Sequence, residues 1–228
     1  MHHIPRRHPR RTRRALGLAL ATALLAAGAT ACGSSGDGGS GTSPAAVEST
    51  DSAKRGTVLS NPFDKPDLVL TDTDGRTYDL RAETEGHPTL LYFGYTHCPD
   101  VCPLTMSNIA VAKSKLPEAD QEKLRVVFVT SDPERDTPAS LGKWLRAQDP
   151  DFIGLTGDFD TIRAGARSVG VSLEPPVKEK DGDIVSTHGT QVLAFLPKDD
   201  KGHVLYTSDV PVETYEKDLP KLVRGQLP

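Results

Sequence analysis

Sulfur is scarce in this chain. Three cysteines and two methionines stand among 228 residues, and Met1 and Cys32 both belong to the leading segment. Beyond it, Cys98, Cys102 and Met106 are the entire sulfur complement. Two cysteines do not make a disulfide-stapled scaffold, and at this length an ordinary apolar core suffices without staples. A single methionine excludes a methionine-rich soft-metal site, and packing is the usual role of one helical Met.

Acidic residues are absent before Cys32, where Arg6, Arg7, Arg10, Arg11, Arg13 and Arg14 cluster. An apolar run follows from Ala15 to Ala31, then a Gly/Ser tract. A basic start, an apolar stretch and small residues are the order of a bacterial export signal, so residues 1–31 are expected to be removed. Arg13-Arg14 is compatible with twin-arginine export and equally with the general route. The apolar run is short for a spanning helix and broken by Gly and Thr. Lipid on Cys32, which follows Ala29-Thr30-Ala31, is therefore the expected anchor, on the extracytoplasmic face of the membrane. Residues 32–56 read as a flexible Gly/Ser-rich linker, and residues 57–228 as one domain.

With the signal removed, 27 − 6 = 21 basic residues face 31 acidic ones, a net charge of −10. That excess argues against nucleic acid and against an electrostatic grip on anionic lipid, while leaving room for a cationic ligand or a basic protein partner. Thiols outside the cytoplasm tend to be oxidised, so a lone pair of cysteines there reads as functional, with one local staple as the alternative.

No internal repeat is present. Asp74-Gly75 marks an N-terminal hairpin between strands at Leu68 to Thr71 and Thr77 to Leu80. Thr89 to Tyr95 and Leu124 to Thr130 are apolar runs without alternation, as in strands covered on both faces. Helices are expected over Cys102 to Leu116, Pro138 to Ala147, Asp160 to Val169 and Val212 to Leu222, with Leu141, Trp144 and Leu145 sharing a face. Gln191 to Leu196 and Val204 to Thr207 read as antiparallel strands around Asp199-Asp200-Lys201-Gly202. This alternation predicts an α/β sandwich with one central mixed sheet flanked by helices.

The cysteine pair falls at a strand-to-helix junction, in Tyr92-Phe93-Gly94-Tyr95-Thr96-His97-Cys98-Pro99-Asp100-Val101-Cys102-Pro103. Free N–H groups and the positive dipole end at a helix start lower thiol pKa values, so one or both sulfurs are expected to be reactive. Residues four apart in a helix lie about 6 Å apart along its axis. That spacing permits a disulfide and also lets both sulfurs reach one metal ion. Spacing alone leaves redox catalysis and metal binding both open.

The stretch Tyr92 to Pro103 resembles the metal-binding motif of the Sco/SenC copper chaperones. Ser131-Asp132-Pro133-Glu134-Arg135-Asp136-Thr137-Pro138 resembles their second signature, and His188, just before a late strand, matches their third element. The resemblance begins near Asn61 and runs through the domain. It implies a thioredoxin-like fold and copper, Cu(I) or Cu(II), held by Cys98, Cys102 and His188. It also implies delivery to the dinuclear copper centre of cytochrome c oxidase subunit II, with a periplasmic copper chaperone or thiol reductase as a further partner. Two thiolates favour Cu(I), and imidazole accepts either state. Thr187 stands where relatives often carry an Asp that could orient the imidazole, and Gly189 where Ser is common.

The alternative is a thiol–disulfide oxidoreductase acting on that target's cysteines, with Cys98 and Cys102 as attacking and resolving thiols. Its weaknesses are a three-residue spacer and the lack of a task for His188. A peroxidase leaves the paired cysteines and His188 unexplained, and a structural or copper-sensing module stays open as a further class. His97 is expected to point away from the pair, and His87 and His203 to lie on the surface. Asp136 or Thr137 is expected to cap the helix opened by Pro138. Glu174 to Asp183 is read as a flap that carries His188 toward the thiols.

Overall fold

The computed structural model describes residues 54–178 and 184–228. The export segment, Cys32, nearly all of the linker and the tip of the proposed flap lie outside the described residues. Among those described, no helix is long and apolar enough to cross a membrane.

Among the described residues, ten strands and six helices follow one another. The strands are β1 (Thr57–Asp64), β2 (Val69–Asp72), β3 (Thr77–Asp79), β4 (Thr89–Gly94), β5 (Arg125–Thr130), β6 (Ile153–Thr156), β7 (Val177–Lys178), β8 (Ile184–Val185), β9 (Val192–Phe195) and β10 (Lys201–Tyr206). The helices are α1 (Leu80–Glu83), α2 (Val101–Ser114), α3 (Glu118–Gln121), α4 (Pro138–Arg146), α5 (Phe159–Ser168) and α6 (Val212–Val223). Eight strands form one mixed sheet in the order β1-β10-β9-β4-β5-β6-β2-β3, and β7 and β8 pair only with each other. β4, β5 and β6 run parallel, β9 runs antiparallel to β4, and the expected hairpin of β2 and β3 closes one edge.

The sheet is covered on both faces, because side chains alternate along a strand. Leu90, Tyr92, Val126 and Phe128 point to one face, where Met106 and Ile109 of α2, Leu141 and Leu145 of α4 and Leu219 and Leu222 of α6 bury them. Leu91, Phe93, Val127 and Val129 point to the other, against Leu80, Ile162 and Ala166. All six residues of β4 are buried, as a non-alternating apolar run requires.

The sequence reading missed β1, β6, the short helices α1 and α3, and the β7–β8 pair. β1 is an edge strand with mostly exposed or half-buried residues, and its pairing with β10 shifts register between Val58 and Phe63. Pro62 falls in that irregular stretch, the kind of place where a strand tolerates proline. β6 has four residues and β7 and β8 two each, too short for a period to register.

Candidate metal centre

Gly94 ends β4, and α2 begins at Val101, one residue before the expected start. Asp100 caps the helix, its side chain accepting the N–H of Val101 at 2.6 Å. Pro103 falls in the first turn, where its missing N–H has no intrahelical partner to lose. The loop between turns back on itself: the Cys98 N–H donates to the Tyr95 carbonyl at 3.3 Å. This brings the Cys98 Sγ over the helix start, where it accepts the N–H of Cys102 at 3.3 Å.

Both cysteines are free thiols. Cys102 is completely buried, and the hydroxyl of Tyr92 donates to its Sγ at 3.4 Å. A Cβ added to Gly94 would stand 2.9 Å from that sulfur and 2.8 Å from the Tyr92 ring, so only glycine lets the strand end pass this closely. Burial pushes the Cys102 thiol up to about 12, against the smaller lowering effect of the Tyr92 hydrogen bond. The expectation of a thiolate favoured by the helix start fails for Cys102: desolvation of the charged form outweighs it.

His188 enters from the opposite side, on the loop between β8 and β9. Its Nε2 lies 4.0 Å from the Cys98 Sγ, and its ring stacks obliquely on Tyr95 with centroids 5.5 Å apart. Its Nδ1 lies 2.8 Å from the Gly189 carbonyl, which can only accept. Nδ1 therefore carries the ring proton, and Nε2 turns its lone pair to the sulfurs. The ligand atoms of Cys98, Cys102 and His188 all lie within 4.8 Å of one another, and no other such group of Cys, His, Asp or Glu occurs among the described residues. With metal–sulfur bonds of about 2.3 Å and metal–nitrogen bonds of about 2.0 Å, three ligand atoms arranged around one ion stand about 3.7–4.0 Å apart. The residues present thus fit a soft cation after closing by up to about 1 Å. Thiolates and imidazole suit copper or zinc, so the donor set alone does not choose between them.

Residues outside the ligand set hold this arrangement. Asp136 does not cap α4; Thr137 does, accepting the Ser140 N–H at 3.3 Å. Asp136 is fully buried and accepts three hydrogen bonds: from the Thr96 N–H at 2.9 Å, the Thr96 hydroxyl at 2.5 Å and the Thr130 hydroxyl at 2.7 Å. Asp132, also buried, pairs with Arg135 and accepts the Ser186 hydroxyl at 2.8 Å. Thr187 exchanges two hydrogen bonds with the Glu174 backbone and does not replace an imidazole-orienting carboxylate; the Gly189 carbonyl takes that part. Gly189 packs closely too, since a Cβ there would stand 3.0 Å from Val171.

The expectations for His97 and Met106 hold. The half-exposed His97 ring turns from the sulfurs to the Thr96 hydroxyl at 3.2 Å. Met106 lies in the core. His87 is partly exposed and meets the Lys123 carbonyl, while the His203 side chain, expected on the surface, is largely covered and meets the Asp199 carboxylate. Tyr92, Ser186 and the roles of Asp132 and Asp136 were missed. Tyr92 had a signal: it shares the strand face of Gly94, two residues on, and that face must meet the following helix.

A thiol pair where a central strand gives way to a helix, faced by a loop leading into an antiparallel strand, on a mixed sheet covered by helices, defines a thioredoxin-like protein. Within that class the chain belongs to the SCO1/SenC family, which matches residues 59–224. A Stutzerimonas stutzeri protein described as copper-binding is 30% identical over 162 residues, covering 71% of this chain and 78% of that one. The mitochondrial SCO2 homolog of Bos taurus is 33% identical over 132 residues, 58% of this chain, which spans about half of that relative's length (49%). Among solved structures, Bradyrhizobium japonicum ScoI with copper bound is 33% identical and aligns with a TM-score of 0.58 over 71% of this chain and 98% of that one.

Proposed function

We propose that the protein is an extracytoplasmic copper metallochaperone in which Cys98, Cys102 and His188 bind copper as cargo. One observation carries the reading: the two sulfurs and the imidazole Nε2 converge within 4.8 Å. Family membership and the copper-bound relative favour copper over zinc for this donor set. The family's association with cytochrome c oxidase assembly supports an oxidase recipient, and we assign the dinuclear copper centre of subunit II. Delivery proceeds by ligand exchange, incoming thiolates of the target displacing Cys98 and Cys102 one at a time. Residues 1–31 act as the export signal, Cys32 carries lipid, and residues 32–56 tether the domain 57–228 at the membrane.

The test is anaerobic copper titration against a competing chelator, in both oxidation states, for the unaltered protein and for Cys98→Ser, Cys102→Ser and His188→Ala. Each substitution is expected to weaken binding about tenfold or more in at least one state. Unchanged stoichiometry and affinity in all three overturn the reading.

A second reading rests on Cys98 and Cys102 being free, adjacent thiols. Attack by one and resolution by the other would reduce a target disulfide to two thiols while the pair becomes a disulfide. A full disulfide-reductase rate in His188→Ala, with tight copper binding absent from every form, would favour this enzyme over the chaperone.

A further inference from the structure

The loop 131–137 fastens both arms of the site. Asp136 grips Thr96, two residues before Cys98. Asp132 grips Ser186, two residues before His188. The loop itself is firmly placed: the Ser131 N–H donates to the Gly94 carbonyl at 2.6 Å, and the Arg135 and Asp136 N–H groups donate to the Asp132 carbonyl at 3.2 and 2.9 Å.

On the His188 side the attachment is narrow. Among the described residues, the preceding strands β7 and β8 pair with each other and not within the main sheet, and the Thr187 hydroxyl bonds to the neighbouring Glu174 backbone. Among the described residues, Ser186 joins this arm to the β5 loop by hydrogen bonds. Its hydroxyl donates to the Asp132 Oδ2 at 2.8 Å and accepts from an Arg135 nitrogen at 3.2 Å. Ser186 is itself buried and touches neither a sulfur nor the imidazole in any recorded hydrogen bond.

We propose that Ser186 is a positioning residue: held by Asp132 and Arg135, it sets how closely the His188 imidazole approaches the thiol pair. The inference rests on the copper reading above. Two thiolates remain a sufficient site for Cu(I), whereas Cu(II), the harder ion, depends more on the imidazole. Loosening the His188 arm therefore separates the two copper states. Removing the Ser186 hydroxyl leaves Asp132 paired with Arg135 and strands no charge.

The test compares Cu(II) and Cu(I) competition titrations of the full chain for the unaltered protein, Ser186→Ala, His188→Ala and the double variant, with circular dichroism confirming folding. Ser186→Ala is expected to weaken Cu(II) about tenfold, in the range found for residues that orient a ligand. Cu(I) affinity should change less than about threefold, and the substitution should add nothing in the His188→Ala background. Unaltered Cu(II) affinity in Ser186→Ala, equal losses in both states, or full additivity with His188→Ala would each overturn the positioning role. No tight copper binding by the unaltered protein would instead overturn the copper reading and remove the basis of this one.

Discussion

At the scale of single residues, Cys102 trades reactivity for placement. Its sulfur is buried against Tyr92 and above Gly94, and burial lifts its thiol from 9.0 to about 12. In the unfolded chain the same thiol ionises near its ordinary value. Between about pH 9 and pH 12 the unfolded state therefore holds fewer protons than the folded one, and stability falls as pH rises. The contribution is complete below the unfolded pKa and is lost on rising through the folded one. The urea midpoint of the copper-free protein is expected to drop across that window, and to drop less in Cys102→Ala. Equal slopes for the two proteins would count against a buried neutral thiol. The same proton must leave when a metal arrives, so binding at Cys102 releases a proton and tightens with pH.

At the scale of elements, the site is a meeting of three loops, each at the end of a strand or the start of a helix. The loop after β5 joins the other two, and Asp136 is its inner anchor. Its carboxylate accepts from the Thr96 and Thr130 donors on both oxygens, whereas an amide offers one acceptor. Asp136→Asn is expected to cost about 2 kcal/mol in urea unfolding, the scale of a buried donor left unpaired. It should also weaken copper binding by freeing the cysteine turn; a loss of stability with wholly unchanged affinity would separate the two roles. Elements of this kind were partly legible. α2, α4, α5, α6, β4, β5, β9 and β10 announce themselves by long apolar patterns and caps. β6 and β1 do not: β6 has four residues and no hairpin turn joining it to a second strand, as the equally short β9 has, and an exposed edge strand needs no apolar pattern.

At the scale of the whole molecule, two apolar layers clamp the sheet and leave the sulfurs at one end of the parallel strands. Among the described residues no helix is long and apolar enough to cross a membrane, and the anchor proposed above is lipid on Cys32. Cys32→Ser is accordingly expected to move the protein from the membrane to the soluble fraction, and intact mass should show the loss of a lipid adduct. Retention of the variant in washed membranes would argue against lipid as the anchor.

What the sequence determined alone was carried by local order: the strand–helix junction, the thiol spacing and the family motifs, because these depend on neighbours along the chain. The proximity of His188 to Cys98, ninety residues apart, was known from those motifs only as an implication. The tertiary structure decided the rest. Which ring nitrogen faces the sulfurs, that burial outweighs the helix start at Cys102, and that Asp132 and Asp136 hold the two arms all follow from how distant segments pack. Desolvation and hydrogen-bond partnership are properties of surroundings, and those exist only once the sheet has brought the loops together.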